Sequence, residues 1–201
     1  MKKSEGIPLL DKLLKEPSFT AKEAKQLGVS SALLGHYLKQ GYIRRLSRGV
    51  YQSCSYEHPI TRFQWQDLIE TLGTVPKGRV CLISALALYG ITEEIPRQHW
   101  IAVSHGTTVK RGRLIRIVRF RDMNLGATTI DLDGFSLPIF DVERTIVDSF
   151  RLLSREVAIK ALKMASSYRG KGKKKLDLIK LQKYAKKLRF DITPYLLTVT
   201  T

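Results

Sequence analysis

The chain has 201 residues, of which 43% are hydrophobic and 8% aromatic, enough apolar material for one large or two small packed domains. This composition excludes an intrinsically disordered protein, and no apolar run approaches the roughly 20 residues that a helix needs to cross a membrane. The 35 basic and 18 acidic residues give a net charge of +17, which favours a polyanionic partner.

The start of the sequence and the cysteines favour a location in the cytoplasm. The segment MKKSEGIPLL has a basic start but lacks the apolar region and the small-residue cleavage site of a signal peptide. Cys54 and Cys81 stand alone without metal-ligand spacing, as reduced thiols of intracellular proteins do. The histidines are too scattered for a zinc site. We therefore expect no metal, no cofactor and no membrane attachment.

The first informative segment predicts two short helices joined by a tight turn. Thr20 and Glu23 fit a capping box, in which each side chain bonds a backbone N–H that the first helical turn leaves unpaired. Gly28 supplies the turn, and Ser30 is a good N-cap for the second helix. A further amphipathic helix is expected ahead of these two, with Leu9, Leu10, Leu13 and Leu14 turned inward.

The second of these helices has an apolar face and an opposite face with little charge. At helical spacing the inward positions are Leu33, Leu34, Tyr37 and Leu38. The outward positions are Ser31, Ala32, Gly35, His36 and Lys39. In a DNA groove, base readout would fall mainly to Ser31, Ala32 and His36.

Residues 42–52 predict a hairpin with its turn at Gly49, flanked by arginines that suit phosphate or minor-groove contacts. Two helices followed by such a hairpin form a winged helix-turn-helix, whose second helix can enter the major groove of DNA. The alternative is a protein-docking scaffold whose arginines are merely solvated. The predicted DNA-contacting residues are Thr20, Lys22, Ser30, Ser31, Ala32, Gly35, His36, Lys39, Arg44, Arg45 and Arg48.

A linker near Pro59 divides the chain into two predicted domains, residues 1–58 and residues 59–201. The second domain opens with a helix over residues 61–72. A helix over residues 85–89 follows, capped by Ser84 and ended by Gly90. Strands are predicted over residues 99–104 and 113–121, and a hairpin around the step Asp133-Gly134.

Helices dominate the end of the chain. Asp141 can cap a helix, and two more are predicted over residues 155–168 and 176–189. The last of them turns Leu178, Leu181, Ala185 and Leu188 inward and Lys180, Lys183, Lys186 and Lys187 outward. The predicted fold class is α/β (α+β): a winged helix-turn-helix, then an α/β domain with a small mixed sheet and basic C-terminal helices.

The positive charge is concentrated in the last quarter of the chain. Residues 151–201 hold 14 basic and 3 acidic residues, whereas residues 59–150 are nearly balanced with 11 and 10. A second basic cluster spans residues 110–121. The predicted basic C-terminal surface comprises Lys110, Arg111, Arg113, Arg116, Arg119, Lys173, Lys174, Lys175, Lys183, Lys186 and Lys187. The alternative is a generally basic, soluble surface without a dedicated ligand.

An ordered set of short segments covers nearly the whole chain. The segments are RLSRGVYQ (45–52), LISALALYGITEEIP (82–96), WIAVSHGT (100–107), IRIVRF (115–120), ERTIVDSFR (143–151) and PYL (194–196). Together they resemble the AbiEi family, the antitoxins of AbiE-type abortive-infection toxin–antitoxin systems.

The resemblance implies an N-terminal winged helix-turn-helix and a C-terminal antitoxin domain. It implies repression of the protein's own operon through double-stranded promoter repeats, and neutralisation of a cognate nucleotidyltransferase toxin, usually of type IV without a stable complex. The low charge of the outward helix face departs from what a DNA reader usually presents.

Two other functions compete with this interpretation. A metal-dependent nuclease would need converging carboxylates, commonly with a nearby lysine; the candidates are Asp131, Asp133, Asp141 and Glu143, and no Glu-x-Lys follows them. Since turns and a helix cap explain these carboxylates, we expect no enzyme. The other alternative is an adaptor whose basic face docks an acidic toxin directly. Without a heptad repeat, a monomer or weak dimer is expected.

Overall fold

The computed structural model describes residues 11–16, 18–56, 65–109, 112–132, 135–167 and 176–200. Helices and strands are mixed along the chain, which confirms the predicted α/β class. The chain divides into two compact units, Met1–Pro76 and Lys77–Thr201. Among the described residues no helix is both long enough and apolar enough to cross a lipid bilayer.

Within its described residues, the first unit contains four helices and a small antiparallel sheet. Its elements are α1 (Asp11–Leu14), β1 (Phe19–Thr20), α2 (Ala21–Gln26), α3 (Ser31–Lys39), β2 (Ile43–Ser47), β3 (Val50–Ser53) and α4 (Gln66–Gly73). The strand order is β1-β3-β2, so the predicted hairpin is present and gains a third strand. Phe19 pairs with Tyr51 across β1 and β3, a pairing that the sequence did not predict.

Local signals begin the helices at the predicted places. The Thr20 hydroxyl accepts from the Glu23 N–H at 3.2 Å, and the Thr20 N–H donates to the Glu23 carboxylate at 2.6 Å, so the capping box is present. Gly28 lies in the left-handed region at φ +84°, as the turn requires. The Ser30 hydroxyl accepts from the N–H of Leu33 at 3.2 Å and caps α3.

The core of the first unit fixes the orientation of α3. Leu34 and Tyr37 of α3 are buried against Phe19, Ala24 and Ile43. Leu33 and Leu38, also predicted to face inward, are partly buried against the same cluster. Because the inward face is held in this way, the opposite face of α3 is presented outward.

Helix α4 belongs to the first unit, so the compact units divide later than the predicted boundary after residue 58. The Glu70 carboxylate of α4 accepts from the Arg44 guanidinium at 3.2 Å. Gly73 lies so close to Ser18 that a Cβ at Gly73 would collide with the Ser18 hydroxyl. The predicted linker at residues 57–60 and the start of the predicted helix at residues 61–64 lie outside the described residues.

The second unit combines a five-stranded mixed sheet with five helices among the residues described. Its elements are β4 (Arg79–Val80), α5 (Leu82–Tyr89), β5 (His99–Ser104), β6 (Ile115–Phe120), β7 (Ala127–Leu132), β8 (Phe135–Phe140), α6 (Val142–Leu152), α7 (Arg155–Ser167), α8 (Leu178–Lys187) and α9 (Thr193–Thr200). The strand order is β6-β5-β4-β8-β7, with β5 parallel to β6 and β4 parallel to β8. The predicted hairpin is confirmed by the pairing of Leu132 with Phe135, although its turn, Asp133-Gly134, lies outside the described residues.

Helices α5 to α9 share one apolar core. Ile146 of α6, Leu162 of α7 and Leu181 of α8 are fully buried in it. Helix α9, which the sequence did not predict, adds Leu196 to this core. Ile192, which immediately precedes α9, is buried in the same cluster. This packing brings the C-terminal ends of α6 and α8 near the end of β6, where a cavity is found.

Three predictions for the second unit were wrong. Ser84 does not cap α5, because the helix begins at Leu82 and the Ser84 hydroxyl instead accepts from the Trp100 N–H at 2.9 Å. Leu178 was predicted to face inward, but at the first residue of α8 it stays 38% exposed. Lys180 was predicted to face outward, but it is drawn down by ion pairs with Asp141 and Glu143.

Candidate nucleic-acid interface

The outward face of α3 carries small and polar groups. Ser31, Ala32, His36 and Lys39 are exposed, and Gly35 between them is half-buried. A hydroxyl, an imidazole and an ammonium group on one side of a helix can hydrogen-bond base edges or phosphates in a DNA groove. The geometry therefore keeps all five predicted α3 residues on the face that the core leaves open.

Gly35 lies in the middle of α3, and packing within the described protein does not require a glycine there. A Cβ at this position would meet no atom within 4 Å. Glycine in a helix interior costs roughly 0.5–1 kcal/mol relative to alanine, so the chain gives up stability here. The absence of a side chain does let another surface approach the α3 backbone closely.

Thr20, Lys22 and Ser30 have different local surroundings. The Thr20 hydroxyl both accepts from the Glu23 N–H and donates to the Glu23 carboxylate at 2.8 Å, so its hydrogen bonds serve the cap. Ser30 accepts from Leu33 and keeps its own O–H for another acceptor. Lys22 is exposed on α2. DNA contact by these three residues stays a prediction.

The three hairpin arginines are not equivalent. Arg44 donates to Gln52 at 2.6 Å and to Glu70 at 3.2 Å, which ties it to β3 and α4. Arg45 donates through Nε to the Ser47 carbonyl at 3.1 Å, leaving its terminal nitrogens open. Arg48 is exposed and makes no hydrogen bond or ion pair with the described part of the chain.

The basic residues predicted in the second unit are described only in part. Lys110, Arg111, Lys173, Lys174 and Lys175 lie outside the described residues. The others are exposed and lie in two places: Arg113, Arg116 and Arg119 in or beside β6, and Lys183, Lys186 and Lys187 on α8.

Two of the β6 arginines already have partners within the unit. The Arg116 guanidinium stacks 4.1 Å from the Trp100 ring centre. Arg119 donates to the carbonyl of Thr107 at 3.0 Å. Among the predicted basic residues that the structure describes, Arg116 and Arg119 line one cavity. Arg119 and Lys187 line another, larger one.

That cavity has a volume of about 420 Å³ and collects basic side chains from distant segments. The basic residues that line it are Arg119, Arg121, Arg144, Arg151, Lys187 and Arg189. Two of these, Arg119 and Lys187, belong to the basic surface predicted from the sequence. Arg121 belongs to the basic run that was noticed, but Arg144, Arg151 and Arg189 give no signal in sequence because the fold alone brings them together.

Arg144 forms the floor of the cavity. Its Nε donates to Asp148 at 2.6 Å, and its two terminal nitrogens donate to the carbonyls of Leu125 at 2.9 Å and Asp122 at 3.2 Å. Asp148 also accepts from Arg151 at 2.6 Å. Burial raises the pKa of the Asp148 carboxyl, and the two arginines oppose that shift.

The carboxylates considered for a nuclease do not converge as a group. Asp141 and Glu143 share Lys180, at 3.0 and 3.1 Å, and the Asp141 carboxylate also accepts from the Arg144 N–H and so caps α6. Burial opposes the charge of Lys180, but hydrogen bonds to both carboxylates raise its pKa. Asp131 lies on β7, and Asp133 lies outside the described residues.

Among the described residues no group of three histidine, cysteine or acidic side chains could hold a metal ion. Asp141 has a structural role as the cap of α6, and both Asp141 and Glu143 pair with Lys180.

Both the start of the chain and its fold resemble known proteins. Residues 9–53 match the sequence model of a family described as "Transcriptional regulator, AbiEi antitoxin". The fold resembles the crystal structure of the RV2827C protein from Mycobacterium tuberculosis. The TM-score is 0.55 at 13% identity, covering 90% of this chain and 72% of that one, so the likeness is one of fold. No curated protein matches the chain. The predicted resemblance to the AbiEi antitoxins, a family of transcriptional regulators, is thus confirmed, with its match over residues 9–53.

Proposed function

We propose that this protein is an autoregulatory antitoxin with two separable tasks. The first unit binds double-stranded operator DNA through α3 and the β2–β3 hairpin and represses the protein's own operon. The second unit counteracts a cognate nucleotidyltransferase toxin. The observation that carries the proposal is the outward face of α3, with an uncovered glycine at its centre, inside the region that matches the antitoxin regulators.

Close approach of DNA to α3 would explain why residue 35 is a glycine, because no contact within the described protein requires one. Ser31, Ala32 and Gly35 form a flat surface on which groove walls can rest, while His36 and Lys39 reach beyond it. This fits a reader that depends on shape complementarity and a few hydrogen bonds rather than on arginine contacts to bases. The low charge of the face therefore agrees with DNA binding.

The hairpin supplies the charge that α3 lacks. Arg48 at the turn and the terminal nitrogens of Arg45 are available for phosphates, which fix the register of a protein on a duplex without reading its sequence. Arg44 is held by Gln52 and Glu70, so its role is to fix the hairpin against α4. In this proposal Arg44 supports the hairpin, whereas Arg45 and Arg48 contact phosphates.

A glycine substitution tests the proposal. Gly35→Gln places a side chain in open space, so the fold should be retained while affinity for a DNA fragment from upstream of the operon falls by about 1–3 kcal/mol, the usual cost of disturbing one base-contacting position. Ser167→Gln, at an exposed position at the end of α7, is the matched control and should bind as the parent protein does. Unchanged operator affinity in Gly35→Gln would rule out α3 as the recognition helix.

A further inference from the structure

The cavity of the second unit carries a surplus of positive charge. Six basic side chains line it, and Asp122 is the one carboxylate among its lining residues. Asp122 accepts from the backbone N–H groups of Leu125 and Asn124, both at 2.9 Å, and these bonds lower its pKa, so it stays ionised. Asp148 beneath the cavity is shared by Arg144 and Arg151. Two acidic groups therefore stand against six basic ones.

Several of the basic side chains in this cavity have hydrogen-bond donors available for a ligand. The side chains of Arg121, Lys187 and Arg189 are exposed and make no hydrogen bond or ion pair with the residues that the structure describes. Arg119 uses one terminal nitrogen for carbonyls of the loop after β5, and Arg151 uses one for Asp148. Because a guanidinium has five N–H donors, both keep donors for another acceptor.

The floor of the cavity is fixed before any ligand arrives. Arg144, with a side chain only 1% exposed, bonds the carbonyls of Asp122 and Leu125 in the loop after β6 and Asp148 in α6. That loop follows Arg121, and α6 carries Arg151. The network therefore fixes the segments that carry Arg121 and Arg151, and an anion bound in the cavity would relieve the remaining repulsion between its basic side chains.

We propose that this cavity binds the phosphate groups of a nucleotide or of a nucleic-acid strand. The planar guanidinium group can donate two parallel hydrogen bonds to phosphate oxygens. The surplus of positive charge also exceeds what a ligand with a single carboxylate would neutralise. A cavity of about 420 Å³ suits a small ligand or a strand end rather than a flat protein surface. Leu152 and Leu188 on its wall offer apolar contact for a sugar or base. This site is independent of the DNA contact proposed for α3.

The test compares two charge-matched variants of the full-length protein. The cavity variant is Arg121→Gln/Lys187→Gln/Arg189→Gln, and the control is Arg97→Gln/Arg155→Gln/Lys163→Gln, which removes three exposed charges elsewhere in the same unit. Calorimetric titration uses pyrophosphate, ATP, and a short duplex of arbitrary sequence. The cavity variant should bind phosphate ligands about tenfold more weakly or worse, since each lost charged hydrogen bond is costly, whereas the control should stay within about twofold.

The three probes separate the sources of phosphate. Binding of ATP or pyrophosphate that is lost in the cavity variant assigns a free nucleotide, and the same loss for the duplex alone assigns nucleic-acid phosphates. Equal weakening in both variants, no binding of any probe, or equally tight binding of polyglutamate would each overturn the proposal. If circular dichroism shows that the cavity variant is unfolded, Lys187→Gln alone is used, with a loss of about threefold or more expected.

Discussion

Arg144 and Asp148 form an ion pair that is closed to solvent, with 2.6 Å between Nε and Oδ2 and side chains that are 1% and 2% exposed. The pair lies one helical turn apart in α6, and the Arg144 guanidinium also lies 4.8 Å from the Phe140 ring centre. A buried arginine of this kind is stabilising only while all of its partners remain. The pair joins α6 to the loop after β6 and so positions the walls of the basic cavity.

Removing the arginine should therefore destabilise the second unit strongly. In Arg144→Met, Asp148 keeps only Arg151, and the carbonyls of Leu125 and Asp122 lose their donor. We expect a loss of about 3–5 kcal/mol in the free energy of unfolding, the usual cost of leaving a buried charge uncompensated. Urea-induced unfolding followed by circular dichroism measures it.

The control for this prediction is Arg155→Met, an exposed arginine at the start of α7, which should cost little. The double variant Arg144→Met/Asp148→Leu should recover part of the loss, because it removes both charges. A loss below about 1 kcal/mol in Arg144→Met would contradict the role assigned to the pair.

Asp122 should make the stability of the second unit depend on pH on the acid side. Hydrogen bonds from the backbone of Leu125 and Asn124, with nearby Arg144 and Lys187, hold the pKa of Asp122 below its ordinary value. A carboxyl with a lowered folded-state pKa contributes stability that is present above the unfolded pKa of about 3.9 and is lost as the pH falls through the folded value.

Asp122→Asn should accordingly flatten the fall in thermal stability below about pH 4, while its amide oxygen can still accept the two backbone bonds. Melting curves across that range compare the variant with the parent protein. Asp131→Asn, which changes an exposed carboxylate on β7, serves as a control. If the melting temperature of Asp122→Asn falls with decreasing pH as steeply as that of the parent protein, other carboxyl groups determine the acid dependence.

Signals carried by neighbouring residues allowed much of the fold to be predicted. The capping box at Thr20 and Glu23, the cap at Ser30 and the cap at Asp141 each depend on residues within three positions of one another. The left-handed Gly90 ended α5 where its residue type indicated. The outward positions of α3 followed from helical spacing, because the core did hold the opposite face.

Features made by distant residues could not be predicted in this way. Strand β1 has two residues, and it exists because Phe19 finds Tyr51 in β3. Helical spacing predicts that Lys180 faces solvent. The packing of α6 against α8 instead places Asp141 and Glu143 within ion-pair distance of it. The cavity is the clearest case, because its basic side chains come from segments as far apart as β6 and the end of α8.

The hairpin arginines should separate into one structural and two DNA-binding residues. Arg45→Gln and Arg48→Gln should weaken operator and arbitrary duplex alike, because they contact phosphate, and each should lower the log–log salt slope of binding by about 0.9. Arg44→Gln should instead lower the stability of the first unit, because it breaks the bonds to Gln52 and Glu70.

Fluorescence anisotropy at several salt concentrations and thermal melting distinguish the two effects. Arg155→Gln is the matched control, since it removes one exposed charge in the second unit. If Arg44→Gln changes the salt slope without changing stability, or if Arg48→Gln leaves the slope intact, the division of roles in the hairpin is wrong.

Repression and toxin neutralisation should separate in a full-length variant. Gly35→Gln/Arg48→Gln changes one half-buried and one exposed position of the first unit and no residue of the second, so operator binding should be lost while the second unit stays folded. Produced from an unrelated promoter, this variant should fail to repress a reporter behind the operon's own promoter. It should still protect cells that produce the cognate nucleotidyltransferase toxin, because compact units with separate cores permit separate functions. Ser167→Gln should retain both activities. Loss of protection together with repression would mean that neutralisation requires DNA binding, and co-purification of the toxin at moderate salt would favour direct docking on the basic second unit.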